Sequence, residues 1–378
     1  MRIAFHAPLK PPDHPVASGD RAMARALISA LQRSGHDVVV VSRLRSYDSG
    51  DPDRQARMGA LGARLAERLL RRFRRGGWMP DLWFTYHLYH KAPDWLGPQV
   101  TARLGIPYLL VEASFAPKQA NGPWAIGHRA VEAALRHADR VFQPNPADNE
   151  CVLPLLRSTD RLVPLKPFLE TAPFRATERD ESRRDMAAAF GIDPCAPWLL
   201  TVAMMRHDQK LLSYRTLASA LASLTDLAWI LIVAGVGSAE AEVRSAFAPL
   251  GRRVHWVGML DRERLIRLYR SADLFVWPAI KEAWGMALLE AQAAGLPVVA
   301  GRSGGVAAVV ADSESGLLAP EGDAVAFANA VRELLLDPER RANMGRAAAA
   351  RIAREHDIGV AAAFFDRQLR ALTRDPVG

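Results

Sequence analysis

Two glutamates stand eight positions apart near the start of a predicted helix, within the segment 272–323. Glu282 comes just before the helix, and Glu290 lies inside it. The first backbone N–H groups of a helix have no acceptor within the helix, so they attract anions and polar oxygens. A carboxylate such as Glu290 can accept hydrogen bonds from a pair of hydroxyl groups, as an acidic residue does with a ribose. The candidate ligand-binding residues at the helix start are Trp284, Gly285, Met286 and Ala287.

A second candidate contact is the turn formed by Ser303, Gly304 and Gly305, which follows a predicted strand. Glycine has no side chain, so a phosphate or a sugar can approach the backbone closely there. For the glutamate pair, two interpretations stay open at this point. The pair belongs to a ligand site, or it consists of two surface acids on an ordinary amphipathic helix.

The elements that must position these residues alternate between strands and helices. Short apolar runs such as 37–42 predict strands that are covered on both faces. The alternation predicts parallel sheets covered by helices, in two successive series. In the first series we predict strands at 2–8, 37–42, 81–86, 107–112 and 140–143, and helices at 19–34, 54–75, 92–104, 126–137 and 146–156. In the second series we predict strands at 197–203, 228–235, 253–258, 272–278 and 296–301, and helices at 211–224, 238–248, 261–271, 285–294, 323–335, 338–356 and 358–373.

Residues 170–196 interrupt this rhythm with charged residues and prolines. We therefore predict an interdomain linker region at 171–196. It separates an N-terminal domain, residues 1–170 completed by a C-terminal helix within 358–378, from a C-terminal domain at 197–357. Two tandem doubly wound domains of this α/β class hold ligands near the carboxyl ends of their strands, so we expect a ligand in a cleft between them.

The composition excludes several classes of protein. The chain has 378 residues, of which 49% are hydrophobic and 24% charged, so it fits two globular domains and not a disordered or fibrous chain. Two cysteines, Cys151 and Cys195, are too few for a disulfide framework or a cysteine-rich metal site. We find neither an apolar run long enough to span a membrane nor a secretory signal, so we expect a soluble, cytoplasmic protein.

The net charge of +8 is concentrated in the segment 54–75, which contains eight arginines and one glutamate. Two interpretations stay open for this predicted helix. It is an ordinary surface helix with solvated arginines, or it binds an anionic membrane surface and brings the protein to the inner face of a membrane. A nucleic-acid partner is not expected, because the segment has few aromatic residues and no recognised reader motif. The arginines are Arg54, Arg57, Arg64, Arg68, Arg71, Arg72, Arg74 and Arg75.

The segment 272–323 resembles family 4 of the retaining GT-B glycosyltransferases, also called glycosyl transferases group 1. That family has two glutamates separated by seven residues and then a Gly-x-Pro-Val-Val strand. In this chain the glutamates are Glu282 and Glu290, and the strand motif is at 295–299. Gly304, Gly305 and the run Ser-Gly-Leu-Leu at 315–318 also match the family pattern. The resemblance implies that Glu282 contacts the donor sugar and that Glu290 contacts the nucleotide ribose.

The same resemblance implies a role for two basic residues after the strand 197–203. Family members place an arginine and a lysine on the donor diphosphate, where their charges stabilise the leaving group. Arg206 and Lys210 are the corresponding candidates here. The chain departs from the family pattern at Met204, which occupies the position of the usual arginine.

Several glycines also match family positions. Gly19, after the first strand, is similar to the glycine loop at which the backbone approaches the donor phosphate or the acceptor. Gly235, Gly237 and Gly258 match turns that line the nucleotide pocket. For each of them an ordinary tight turn is the other interpretation.

The N-terminal half departs from the family at one catalytic position. Many members carry a histidine just after the fourth predicted strand, and this chain has none there. Glu112, Ser114 or Lys118 could take over part of its role. His87 at the end of the preceding strand is the next candidate, although a histidine at a strand end also serves structural purposes.

Taken together, the resemblance implies a GT-B architecture and a retaining hexosyltransferase. It would move a sugar from a nucleotide-sugar donor, with a UDP-sugar favoured, to an unknown saccharide, lipid-linked or small-molecule acceptor. The reaction would be a front-face displacement without cofactor or metal, since we find no Asp-x-Asp motif at a strand end. The alternatives are a GT-B sugar-nucleotide enzyme that is not a transferase, similar to an epimerase, and a basic membrane- or nucleic-acid-binding module.

Overall fold

The computed structural model describes residues 1–374, except residues 17, 177, 283 and 284. The chain divides into two compact units. Unit 1 consists of Met1–Lys166 together with the helix that begins at Ile358, and unit 2 consists of Pro167–Asp357. Each unit has its own parallel sheet and its own hydrophobic core.

Unit 1 contains a six-stranded parallel sheet in the order β2-β1-β3-β4-β5-β6. Its strands are β1 (Arg2–His6), β2 (Asp37–Ser42), β3 (Leu82–Leu88), β4 (Tyr108–Ala113), β5 (Arg140–Gln143) and β6 (Leu162–Pro164). Its helices are α1 (Gly19–Arg33), α2 (Pro52–Arg75), α3 (Gly97–Leu104), α4 (Ala125–His137), α5 (Asn149–Val152) and the last helix of the chain, α15 (Ile358–Arg374).

Unit 2 contains a second six-stranded parallel sheet in the order β12-β11-β10-β7-β8-β9. Its strands are β7 (Trp198–Val202), β8 (Ile230–Ala234), β9 (Val254–Gly258), β10 (Leu274–Trp277), β11 (Val298–Arg302) and β12 (Gly316–Pro320). Its helices are α6 (Ala172–Arg175), α7 (Arg179–Phe190), α8 (Gln209–Ala222), α9 (Glu240–Phe247), α10 (Arg262–Ser271), α11 (Met286–Ala293), α12 (Val306–Val309), α13 (Ala324–Leu336) and α14 (Pro338–Glu355).

The apolar runs form the strands because helices cover both faces of each sheet. Trp198, Leu199 and Leu200 in β7 are all fully buried, as are Leu274 and Phe275 in the neighbouring β10. Such continuous burial is typical of parallel strands in α/β proteins. The predicted fold class, two parallel sheets covered by helices, is confirmed.

Two predicted helices of unit 1 have different bounds in the structure. The helix predicted at 92–104 begins only at Gly97, because Asp94 Oδ1 accepts hydrogen bonds from the N–H groups of Leu96 and Gly97 and caps the helix there. The helix predicted at 146–156 is split into α5 and two 3₁₀ turns that begin at or next to Pro146 and Pro154. Proline lacks an N–H, so Pro154 cannot donate to the carbonyl four residues earlier, and the α-helical bonding ends before it.

The range 171–196, which we predicted as a linker between the domains, lies inside unit 2. It contains α6 and α7, and Met186 in α7 is buried in the core of this unit. Arg183 donates hydrogen bonds to the Ser271 carbonyl (2.6 Å) and to Asp273 (3.0 Å). The charged residues that interrupted the sequence pattern therefore anchor α7 to the sheet edge, so the predicted linker is an element of the second unit.

The last helix, α15, packs in unit 1, although it follows unit 2 in the sequence. Phe365 is fully buried, and its ring contacts the rings of Phe84 and Phe142 in the sheet. Ser34, at the end of α1, donates a hydrogen bond of 2.7 Å to the Ala362 carbonyl. These contacts complete the core of unit 1 with a helix that begins at Ile358, whereas the last strand of this unit ends at Pro164.

The arginine-rich segment forms α2, which is capped at its start by Asp51 and ends at Gly76. Leu69, Leu70 and Phe73 are buried, so the apolar side of the helix packs on the unit. All eight arginines of the segment 54–75 are exposed on the other side. In the described part of the chain, no helix is long and apolar enough to cross a membrane.

Candidate functional site

The strand order of unit 2 creates a switch point between β7 and β10. From β7 the chain builds outward to β8 and β9 on one side, and from β10 it builds outward to β11 and β12 on the other. In open parallel sheets, ligands bind at the carboxyl ends of the strands where the order reverses in this way. The loops at this point are residues 203–208 after β7 and residues 278–285 after β10.

Lys210 and Glu282 meet at this switch point. The Lys210 Nζ atom donates a short hydrogen bond to Glu282 Oε2, and the two side chains are 28% and 17% exposed. Trp277, the last residue of β10, lies under both. Its indole N–H donates to Glu282 Oε2 (3.3 Å), and its ring centroid lies 5.5 Å from the Lys210 ammonium. The arrangement leaves an ammonium group and a carboxylate side by side, both partly open to solvent.

The loop that carries Glu282 has an unusual backbone. Ala279 and Lys281 have φ angles of 53° and 48°, in the left-handed region that residues with a side chain rarely adopt. The loop is held by the Ile280 N–H, which donates to Ser213 Oγ in α8 (3.0 Å), and by the Lys281 N–H, which donates to Glu321 (3.2 Å). Strain of this kind persists only where neighbouring contacts enforce it, and it is concentrated at functional sites.

Arg206 lies in the other loop of the switch point and is exposed. No hydrogen bond or ion pair of its guanidinium with a described residue is present, whereas the backbone next to it is fixed. The N–H of the buried Met205 donates to the Val236 carbonyl (3.1 Å). Met204, at the position of the usual family arginine, is 45% exposed. The structure therefore places the exposed Arg206 side chain near the switch point, without a hydrogen bond to a described residue.

Gly235 and Gly237 bring the loop after β8 against the loop after β7. A Cβ atom at Gly235 would lie 1.9 Å from the Ala203 carbonyl oxygen, and one at Gly237 would lie 2.0 Å from that of Met205. Gly258 has a φ of 67°, and its carbonyl accepts a hydrogen bond from the Gly235 N–H (2.8 Å). Contacts between neighbouring loops therefore require glycine at positions 235 and 237. One of these loops is the loop after β7, which carries Arg206.

Glu290 is held in α11 by a residue of α10. The Tyr269 hydroxyl, which is almost fully buried, donates a hydrogen bond of 2.9 Å to Glu290 Oε2. Burial raises the pKa of Glu290 above its ordinary value, and the hydrogen bond from Tyr269 and the charge of Arg262 oppose this shift only in part. Burial, together with the negative charge of Glu290, also raises the pKa of Tyr269 far above its usual range, so the phenol stays a donor.

The start of α11 is open for ligand contacts. Gly285 has a φ of 66° and precedes the helix, and its carbonyl accepts hydrogen bonds from the N–H groups of Leu288 and Leu289. The N–H groups of Met286 and Ala287 therefore lie ahead of the first helical bonds. Trp284, the remaining predicted residue at this helix start, lies outside the described residues.

Gly304 and Gly305 form a turn after β11. Gly304 has a φ of 46°, and the Val306 N–H donates back to the Ser303 carbonyl (2.9 Å). In β11 itself, a Cβ atom at Gly301 would lie 2.0 Å from the Pro278 carbonyl oxygen. The strand that leads to the glycine turn therefore runs directly against the beginning of the Glu282 loop.

Unit 1 has its own switch point, between β1 and β3, and it carries a cluster of ionisable residues. His87 Nδ1 lies 3.1 Å from Asp20 Oδ1 and 3.9 Å from Glu112 Oε1. His87 and Glu112 have φ angles of 60° and 58°. Both side chains therefore leave the ends of β3 and β4 in a strained conformation and point to the same place. Gly19 is the first residue of α1, and a Cβ atom there would meet no described atom within 4 Å.

The charges in this cluster depend on each other. Burial alone would lower the pKa of His87, but the hydrogen bond to Asp20 and the negative charges of Glu112 and Asp20 outweigh it, so its pKa lies above the ordinary value. The same hydrogen bond lowers the pKa of Asp20, and burial raises the pKa of Glu112. An imidazole whose protonated form is favoured is thus held between two acidic side chains.

Sequence reasoning missed three of the residues that hold these sites. Asp20, Tyr269 and Trp277 each contact a predicted site residue. Asp20 follows Gly19 at a helix start, which is a recognisable signal for an exposed carboxylate near a loop. Nothing in the sequence distinguished Tyr269 from an ordinary core aromatic residue. In the described residues we find no group of three His, Cys, Asp or Glu side chains placed to hold a metal ion.

Residues 190–351 match the model of a protein family described as glycosyl transferases group 1. This segment contains Lys210, Glu282 and Glu290, and the match confirms the predicted resemblance to glycosyl transferases group 1. A relative named D-inositol 3-phosphate glycosyltransferase, from Acidothermus cellulolyticus, is 33% identical over 246 residues. The alignment covers 62% of this chain and 53% of the relative, so the chain spans about half the length of the curated relative it matches.

Solved structures with the same fold cover nearly the whole chain. Sucrose-phosphate synthase from Thermosynechococcus elongatus has a TM-score of 0.71 at 24% identity, covering 98% of this chain and 99% of that one. The Anabaena protein HepE in complex with UDP-glucose has a TM-score of 0.72 at 18% identity, covering 98% of this chain and 100% of that one. At this identity the likeness shows the fold, which is the predicted GT-B fold.

Proposed function

We propose that this protein is a glycosyltransferase that moves a sugar from a nucleotide-sugar donor to an acceptor, with the donor bound by unit 2. The observation that carries the proposal is the pairing of Lys210 with Glu282 at the switch point of a doubly wound sheet. The match of residues 190–351 to glycosyl transferases group 1 supports it. A UDP-sugar is the favoured donor, because the similarly folded HepE has been solved with UDP-glucose.

In this proposal the cationic residues of the site bind the diphosphate of the donor, and the anionic residues bind its sugar and ribose. Lys210 and Arg206 stabilise the negative charge that grows on the leaving diphosphate, as preorganised cations do in transfer reactions. Lys210 has three N–H donors and uses one on Glu282, so the others are available to a phosphate oxygen. Glu282 contacts the sugar, and Glu290 accepts hydrogen bonds from the ribose hydroxyls. The N–H groups at the start of α11 face the remaining polar oxygens of the donor.

We propose further that the transfer retains the anomeric configuration through a front-face displacement. We assign no attacking nucleophile among the described residues of the unit 2 site, and Glu282 Oε2 is already bonded to Lys210 and Trp277. Catalysis would then rest on positioning and on stabilisation of the leaving group. In unit 1, the cluster of Asp20, His87 and Glu112 is the candidate for binding the acceptor and taking its proton. The acceptor is a saccharide, a lipid-linked sugar or a small hydroxylated molecule.

A donor screen followed by product analysis tests the proposal. Thermal shifts should be measured with UDP-, GDP- and ADP-sugars, and the best donor should then be incubated with candidate acceptors. We expect stabilisation by UDP-sugars, nucleotide release that requires an acceptor, and a product with the donor's anomeric configuration by NMR. Conversion of the donor sugar without an acceptor would instead support a sugar-nucleotide enzyme of the epimerase type. Inversion of the anomeric centre would refute the front-face displacement.

We expect the transfer to be independent of divalent metal ions. Lys210 and Arg206 provide the positive charge that Mg²⁺ or Mn²⁺ provides at metal-dependent diphosphate sites. The initial rate should be measured after dialysis against EDTA and again after adding Mg²⁺, Mn²⁺ or Ca²⁺. The expected rates are equal within error. A loss of activity in EDTA that is restored by one of these ions would show that the prediction is wrong.

We also propose that the arginine side of α2 binds an anionic membrane surface on the cytoplasmic side. All eight arginines are exposed, and among the described residues only Arg54 has an ionic partner, Asp48 at 3.7 Å. Because the apolar side chains Leu69, Leu70 and Phe73 are buried in unit 1, the attraction would be electrostatic and without insertion.

Vesicle sedimentation tests this membrane contact. We expect binding to vesicles with anionic lipid, no binding to neutral vesicles, and release at high salt. Each basic residue near such a surface contributes about 1 kcal/mol, so replacing Arg64, Arg68 and Arg71 with glutamine should weaken binding by about 100-fold. The matched control replaces Arg215, Arg244 and Arg252, three exposed arginines of unit 2. Equal loss in both triple variants, or no binding at all, would leave α2 as an ordinary surface helix.

A further inference from the structure

Unit 2 contains a cavity of about 320 Å³ on the edge of its sheet opposite to Lys210 and Glu282. It lies where β10 and β11 begin, at Asp273 and Pro297, whereas the donor site lies where strands end. Its walls come from the start of α7, the end of α10, the end of α11 and the first half of α14. None of the described residues that are assigned to the donor lines it.

The cavity is lined by four arginines and one acidic residue. The arginines are Arg179, Arg270, Arg341 and Arg346, and the acid is Asp273. Both oxygens of this carboxylate are already engaged: Arg179 donates to Oδ1 (2.5 Å), and Arg183 (3.0 Å) and the Trp198 N–H (2.8 Å) donate to Oδ2. The single carboxylate is thus shared between two arginines, and the cavity keeps an excess of positive charge.

The guanidinium groups are oriented by neutral acceptors. Arg270 donates to the Ala294 carbonyl (3.0 Å), Arg341 donates to the Leu334 carbonyl (2.7 Å), and Arg346 donates to the side chain of Asn343. The bonds of Arg341 and Arg346 fix the directions of these two groups and leave their charges in place. Burial lowers the pKa of both Arg270 and Arg341, and the positive charge of Arg179 lowers it further. Nearby negative charges oppose this shift: Glu178 for Arg270, and Asp273 and Asp337 for Arg341. Partly desolvated cations that repel each other favour a bound anion.

We propose that this cavity binds a phosphate dianion, either free or as a small phosphate ester. Arginine presents its N–H donors in a planar fork that matches two oxygens of a phosphate group. Four such forks around one cavity suit a tetrahedral dianion better than a planar carboxylate. The volume lies at the lower end of that of small-molecule sites, so it admits a phosphate group with a small organic substituent.

Isothermal titration of the full chain with inorganic phosphate, at constant ionic strength, tests the proposal. We expect saturable binding with a Kd of about 1 mM or lower, and no such binding of chloride. Arg346→Gln and Arg341→Gln should each weaken phosphate binding about tenfold, because hydrogen bonds to charged groups are strong. Parallel titrations with glycerol phosphate and glucose 6-phosphate identify the source: tighter binding of an ester assigns the site to esters, and equal binding assigns it to the phosphate group alone.

Two controls separate this cavity from other positive surfaces. Arg340→Gln changes a neighbouring arginine of α14 that pairs with Glu333 and does not line the cavity, so phosphate binding should be unchanged. Lys210→Gln removes the cation at the donor edge, and binding should again be retained. Arg341 also caps the end of α13, so Arg341→Gln could fail to fold. In that case the phosphate titration of Arg346→Gln tests the proposal, because Arg346 is exposed. The proposal would be overturned if the parent protein showed no saturable phosphate binding. It would also be overturned if Arg340→Gln weakened phosphate binding as much as the cavity variants do, or if only Lys210→Gln weakened it.

Discussion

Replacing Lys210 with methionine is expected to lower kcat by about 10²- to 10³-fold, with a smaller effect on the donor KM. The ammonium is fixed by Glu282 and lies near the Trp277 ring before any donor arrives, so it is preorganised for the diphosphate. Preorganised charges act most strongly on the charge that grows in the transition state, and removing one such group from an active site costs about this factor. Initial rates with a UDP-sugar and the acceptor found in the screen provide the measurement.

The neighbouring lysine supplies a matched control. Lys281 is exposed and lies next to Glu282 in the same loop, and its side chain has no ion pair with a described residue. Lys281→Met should therefore leave kcat within about twofold of the parent, since it removes an exposed charge and keeps the backbone bond from residue 281 to Glu321. Equal losses in the two variants would mean that the general positive charge of the loop matters rather than the Lys210 position.

A double-mutant cycle with Glu282→Gln identifies what the pair does. Lys210 and Glu282 are in direct contact, so their effects on kcat should not add. If both serve one transition state, the double variant should be little worse than the Lys210 variant alone. Full additivity would show that the two residues act on separate parts of the donor, and unchanged kcat in Lys210→Met would remove Lys210 from the mechanism.

The sequence allowed the elements around this pair to be predicted, but not the pair itself. Apolar runs of four to six residues mark buried parallel strands well, so β7 and β10 were placed within a few residues of their observed bounds. The contact between Lys210 and Glu282, however, joins residues 72 positions apart. It exists because β10 pairs with β7 and not with β9, and that choice depends on how all six strands and their helices pack.

The cluster in unit 1 illustrates the same difficulty. His87 and Glu112 could be named as candidates because each ends a predicted strand. Asp20 could not be connected to them, since this requires β1 to lie beside β3 in the sheet. Their positive φ angles are equally invisible in the sequence, because residues other than glycine give no signal for such a conformation. Packing of the whole unit holds the two side chains in these positions.

The interruption at residues 171–196 was misinterpreted for a different reason. A high density of charged residues usually indicates an exposed linker, and here most of these side chains are indeed on the surface. Arg183 nevertheless stacks over the Trp198 ring at 4.4 Å and bonds to Asp273, while Met186 points inward. A helix with only a narrow apolar stripe therefore belongs to the second unit, because arginine side chains contribute to packing as well as charge.

The donor affinity is expected to rise with pH as Glu290 loses its proton, and Glu290→Gln should abolish this dependence. The ionised carboxylate can accept hydrogen bonds from ribose hydroxyls with both oxygens, and these bonds are stronger than those to a neutral carboxyl group, whose hydroxyl oxygen becomes a donor. Its pKa lies above the ordinary value because of burial, so the protonated form persists at a pH where an exposed glutamate would already be charged. The donor KM of the parent protein should therefore fall as the pH rises through this raised pKa. In Glu290→Gln it should be constant across that range and about tenfold to a hundredfold higher above it.

A second variant shifts the same transition instead of removing it. The Tyr269 hydroxyl donates to Glu290 and so favours the ionised form. Tyr269→Phe removes this bond, and the pKa of Glu290 should rise further, which moves the fall in donor KM to higher pH. Glu339→Gln changes an exposed glutamate of α14 and serves as the control, with no expected change in the profile.

If Glu290 is the titrating group that binds the donor, folding stability should change with pH in the direction opposite to donor affinity. The folded protein holds a proton on Glu290 more tightly than the unfolded chain does, so the free energy of unfolding falls as the pH rises from the ordinary pKa of glutamate to the raised one. Glu290→Gln should lack this fall. Urea unfolding at several pH values, measured beside the donor KM, would thus show affinity increasing while stability decreases over one pH range. If both quantities changed in the same direction, or if Tyr269→Phe shifted the KM profile to lower pH, Glu290 would not be the titrating group that binds the donor.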